Sequence, residues 1–130
     1  MVVKRLYKTI TATTTTATGS IGEIHGKVLM IQVKNDTGSC GWWIFTDGSD
    51  NTAGDGELND QNVLGATGVG HIDTAAATYY PVVAQVIGST AATTDPDTTC
   101  PIIVDGKLEY NIDDCASTEV MHILIWYEPL

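Results

Sequence analysis

Hydrophobic residues along this chain fall into short blocks, separated by clusters of Gly, Asn, Asp, Ser, Thr and Pro. Where a block alternates, it does so with the period of two that belongs to a strand, and not with the 3.6 of a helix. Val2 to Thr18 opens with Leu6 and Ile10 on one face and runs out into Thr and Ala with little to bury. That pattern predicts a flat edge strand, or an extended arm lying on another subunit, broken at Gly19-Ser20. Ile24 to Lys34 contains Val28-Leu29-Met30-Ile31, apolar on both faces, and reads as a core strand. Asn35 to Gly38 is a turn cluster, and Gly41 to Thr46 (GWWIFT) is a short aromatic strand.

Asp47 to Asp60 reads as a long polar loop, Val63-Leu64 as a short strand, and Ala75 to Ala77 as one helical turn at most. Tyr79 to Ile87 is a further strand with Pro81 near its start, where a missing N–H is tolerated. Ser89 to Pro101 is a loop. Ile102 to Val104, Asp105-Gly106 and Lys107 to Ile112 together predict a hairpin, because Asp-Gly between β-rich runs suits a type I′ turn. Leu108, Tyr110 and Ile112 should share its inner face. After a turn at Asp113 to Ser117, Val120 to Tyr127 is apolar on both faces and should be a central strand.

These elements predict an all-β, single-domain antiparallel β-sandwich or small β-barrel with an extended N-terminal strand or arm. Residues 1–18 would form the arm and 19–130 the body. Composition agrees: apolar residues are 43% of the chain, enough for a core, and the β-branched Val, Ile and Thr suit a pleated surface.

Charge narrows the function classes. The formal net charge is −10, and the bases gather early, at Lys4, Arg5, Lys8, Lys27 and Lys34, with Lys107 alone beyond them. Nucleic acid and anionic membrane surfaces both demand clustered cations, so neither is an expected partner. The acidity suits a solubilising surface or a high-salt habitat. The basic N-terminal segment could instead pair with an acidic partner surface. No secretory leader is expected in Met1 to Ile10, and no run is apolar enough to span a membrane. Cys40, Cys100 and Cys115 match no zinc spacing. Cys100 and Cys115 flank the expected hairpin, but free thiols fit the spacing better than a bridge.

Candidate chemistry is sparse. In the Asp47–Asp60 loop, Asp47, Ser49, Asn51 and Asp55 alternate as oxygen donors to a hard cation could, and Asp50 adds a carboxylate. An EF-hand would need Gly and Glu where the loop has Thr52 and Leu58, so these are weak metal candidates and no cofactor is expected. His71 and Asp73 could share a strand face. His122, inside an apolar strand, suits a hydrogen-bonded core or interface histidine. No nucleophile motif, phosphate loop or zinc-protease motif is present, which points away from an enzyme. The doublets Trp42-Trp43, Tyr79-Tyr80 and Trp126-Tyr127 should each send one ring inward and one outward. An outward ring could anchor a subunit interface or stack on sugar.

The order of these phrases resembles the small head-decoration proteins of tailed viruses of bacteria and archaea. A Thr/Ala-rich strand (KTITATTTTAT) leads to GKVLMIQVK, then to YYPVVAQV, then to IIVDGKLEYNI, and the chain closes on HILIWYEPL. The resemblance omits the Asp47–Asp60 and Thr93–Pro101 loops. It implies a non-enzymatic virion protein, made in the host cytoplasm, that binds the major capsid protein on the outside of the assembled head. It also implies a homo-oligomer, commonly a trimer. Lys4, Arg5, Leu6, Lys8, Ile10, Trp126 and Tyr127 would carry capsid or subunit contact. The alternative is a carbohydrate-binding or adhesin-like β-sandwich of a virus tail or cell surface, using Trp42, Trp43 and the Asp loop.

Overall fold

The computed structural model describes residues 2–46, 61–64, 71–81 and 102–130. They form β1 (Lys4–Thr11), β2 (Ala17–Asn35), β3 (Cys40–Thr46), β4 (Gln61–Leu64), β5 (Ile72–Thr74), β6 (Ala76–Tyr79), β7 (Ile103–Asp113) and β8 (Val120–Pro129). The fold is all-β. All the strands join one antiparallel sheet in the order β1-β8-β2-β7-β3-β4, with β5 added to β3 and β6 to β2. The sheet curls so that one face encloses the core. Ile31, Ile44, Ile112, Ile123 and Ile125 there are all 0% exposed.

The spine is β2, a strand of 19 residues. Its first half pairs with β7, and its second half lies between β8 and β6. Two register shifts let so long a strand follow the curl, at Ser20/Gly22 and at Val28/Met30. An extra residue flips the side-chain parity and bends the strand. Accordingly Ile24 and Val28 face the core before the second shift, and Ile31 and Val33 after it. At the first shift Gly22 takes φ +148°, and the Leu6 side chain lies 3.0 Å from where its Cβ would stand. A side chain there would be strained and would meet Leu6.

Several expected boundaries move. Gly19-Ser20 does not break the chain; it lies inside β2, because β7 supplies a ladder for those residues. Asp105-Gly106 is not a hairpin turn. Both residues sit within β7, opposite His25 and Ile24, and Gly106 has φ +144°, far from the type I′ region. The Asp105 carboxylate pairs with His25 Nδ1 across the ladder, which holds the segment extended. Ala76 and Ala77 are in strand β6 and not in a helical turn, since β2 offers them an open edge. The short strand at Val63-Leu64, the aromatic strand and the central strand β8 are present. Leu108, Tyr110 and Ile112 are buried together. The Asp47–Asp60 loop, with Asp47, Asp50 and Asp55, lies outside the described residues, as does most of the expected Tyr79–Ile87 strand.

Residues 4–11 pair with β8 along the whole of β1 and form an edge of the sheet. The connection that follows is tied down too. Ala12 donates its N–H to Glu119 O and accepts from Thr118 N, while Cys115 N donates to Thr15 O. Residues 17 and 18 already belong to β2.

Candidate functional site

Residues directly opposite one another in an antiparallel pair share a face of the sheet. On the outer side of β1, β8, β2 and β6 this builds three rungs. Arg5, Trp126 and Met30 form the first; Tyr7, Leu124, Gln32 and Thr78 the second; Thr9, His122, Lys34 and Ala76 the third. On the first rung the Arg5 guanidinium lies 5.3 Å from the Trp126 ring centroid, within cation–π range. Trp126 Nε1 donates to Gln32 Oε1 at 2.9 Å, which restrains the indole on the outer face.

The third rung is organised by His122. Its Nε2 lies 3.0 Å from Asp36 Oδ1 and its Nδ1 2.9 Å from the Tyr7 hydroxyl. A carboxylate only accepts, so in the neutral imidazole the proton sits on Nε2, and Nδ1 accepts from Tyr7 O–H. Thr9 Oγ1 donates to the Tyr7 oxygen at 2.9 Å. The Tyr7 and His122 rings are nearly parallel, 6.2 Å apart and 18° off. Beside them a groove of about 500 Å³ opens, lined by Tyr7, Gln32, Lys34, Thr78, His122 and Leu124 among others.

The bases divide into those with an ion-pair partner and those without one among the described residues. Lys27 pairs with Glu128 at 3.4 Å and Lys107 with Glu109 at 3.2 Å. Lys4, Arg5, Lys8 and Lys34 have no ion-pair partner among the described residues, and all belong to β1 or to the second half of β2. Where β5 and the end of β7 flank β3, three carboxylates gather. Asp73, Asp113 and Asp114 each bring one oxygen within 4.8 Å of the others. His71 Nδ1 pairs with Asp113 Oδ2 at 3.1 Å, and His71 Nε2 lies 3.1 Å from Asn111 Oδ1. His71 thus pairs with Asp113 across strands, and the expected partner Asp73 stands beside that pair. The cluster offers hard oxygen donors, but Asp73 and Asp114 are exposed, and exposed carboxylates gather on acidic surfaces without holding an ion.

The expected contact residues divide by parity. Arg5 and Trp126 meet on the outer face, and Lys4 and Lys8 stand at the sheet edge opposite Tyr127 and Ile123. Leu6 packs half-buried against the core, Ile10 is 5% exposed and belongs to it, and Tyr127 leans on it. Leu6 and Ile10 therefore face the core, because even positions of β1 point inward. The same alternation makes Tyr7 and Thr9 members of the outer face with Arg5. Their partners His122, Gln32 and Lys34 come from strands far along the chain, which only the register reveals. Trp42 is 0% exposed and cannot stack on sugar; Trp43 packs against Phe45 at 5.3 Å and His71 at 5.8 Å. Cys40 and Cys115 are free and buried, and burial pushes the Cys40 thiol up to about 12 and raises Cys115 as well. Neither is an activated nucleophile. Cys100 lies outside the described residues.

Compared with models of known protein families and with curated proteins, the chain matches none of them.

Proposed function

We propose that this chain is a structural protein of a virus particle, attached to the outside of the assembled head and stabilising it, with the outer face of β1, β8 and β2 as its attachment surface. One observation carries the reading: Arg5 and Lys34, which have no ion-pair partner among the described residues, lie on this face with Trp126 and Tyr7, and Lys4 and Lys8 stand along its edge strand, in a chain of net charge −10. A surface built this way attracts an acidic protein surface. Trp, Tyr and Arg are favoured interface anchors, and Arg5 is already held over Trp126. The resemblance of its sequence phrases to those of head-decoration proteins supports the same reading and suggests the partner, the major capsid protein. Attachment would be repeated over a lattice, so modest contacts at each site would sum to stable coverage.

Co-sedimentation with capsids of the virus that encodes the chain tests this. The chain should pellet with capsids and stay in solution alone. Arg5→Glu and Trp126→Ala should each weaken pelleting while their melting curves show a folded protein. No pelleting of the unaltered chain, or binding instead to a glycan array, would overturn the reading.

A further inference from the structure

We infer that the trough across β1, β8, β2 and β6 receives an extended, carboxylate-rich peptide segment of the partner, laid across the strands. This inference rests on the attachment reading and names what that surface grips. The trough is bounded by two complete rungs, Tyr7-Leu124-Gln32-Thr78 and Thr9-His122-Lys34-Ala76. Four strands at about 4.8 Å spacing span roughly 14 Å, the length of about four residues of extended chain. The lining includes Leu124 and the smaller Ala76 and Thr78, and the volume of about 500 Å³ opens to solvent.

The lining selects for carboxylates. Lys34 is exposed, reaches the trough, and has no ion-pair partner among the described residues. Arg5 stands one rung away on the far strand, held in place over Trp126. Gln32 Nε2 makes only a 3.5 Å contact with Thr78 Oγ1, so both retain hydrogen-bonding capacity toward an occupant. Asp36, the carboxylate at this end, is already engaged by His122 Nε2. A ligand carboxylate therefore meets a free cation and neutral donors, and the nearest competing anion is engaged.

The test uses the full chain and an eight-residue glutamate peptide, with eight-residue glutamine and trigalacturonate as comparisons. At low salt the glutamate peptide should shift the amide resonances of Tyr7, Gln32, Lys34, Thr78 and His122, although the net charge of −10 opposes its approach. The glutamine peptide should not. Lys34→Glu and Thr78→Trp, which reverse the charge and fill the trough, should each weaken binding at least tenfold with unchanged melting temperature. Shifts elsewhere, no shifts at all, or shifts with trigalacturonate alone would overturn the inference. Capsid pelleting by the same variants separates the two claims. Peptide binding without pelleting defeats the virion reading, and pelleting that ignores Lys34→Glu and Thr78→Trp defeats the trough.

Discussion

At the scale of single residues, the most informative side chain is Glu119. It is 3% exposed, and its carboxylate accepts hydrogen bonds from Thr37 N at 2.8 Å and from the Thr37 hydroxyl. Those donors favour the ionised form and hold its pKa below the ordinary value of 4.5. A lowered folded-state pKa means that the stabilisation is fully present above 4.5 and is lost as pH falls through the folded value. Melting temperature followed from pH 7 down to about 2.5 should fall in acid, and Glu119→Gln should flatten that fall. An equal acid slope in the variant would refute the assignment. None of this is legible in sequence, because Thr37 and Glu119 are 82 positions apart. The buried cysteines are a second residue-scale case. With Cys100 replaced by Ser, a thiol reagent at neutral pH should leave the native chain unlabelled and modify both Cys40 and Cys115 after denaturation. Rapid native labelling would contradict their burial.

At the scale of elements, the strands legible in sequence are those whose apolar residues are dictated by two packed neighbours. β8 is the clearest: β1 and β2 flank it, and Met121, Ile123 and Ile125 are 0% exposed beneath it. Ile125→Ala should cost about 2–5 kcal/mol in a denaturant titration, as for other buried large-to-small changes. Arg5→Glu, on the exposed edge, should stay within about 0.5 kcal/mol of the unaltered chain. The hairpin expected at Asp105-Gly106 is replaced by one continuous strand. Local turn chemistry there is overridden because β2 is long enough to pair with residues on both sides of the dipeptide. The N-terminal segment also changes character. Deleting residues 1–18 would strip β8 of one neighbour and remove the start of β2, so the truncated chain should melt at markedly lower temperature or aggregate. A truncation that melts unchanged would show that β1 contributes nothing to the sheet.

At the scale of the whole molecule, the bases without an ion-pair partner among the described residues gather on β1 and the second half of β2. The N-terminal gathering of bases is visible in sequence, but its meaning depends on β8 and β2 lying beside β1, which brings Lys34 and His122 to the same face. Long-range attraction through that face should be screened by salt, since the Debye length shrinks to about 3 Å at 1 M. Capsid pelleting should therefore weaken steeply between about 50 mM and 500 mM salt, and salt-independent binding would point to a purely apolar contact. The measurement that bears most directly on the attachment surface is amide hydrogen exchange of the chain, free and bound to capsids. New protection should appear across residues 4–9, 30–34 and 122–126. Protection confined to the acidic cluster, at residues 71–74 and 111–114, would contradict the account.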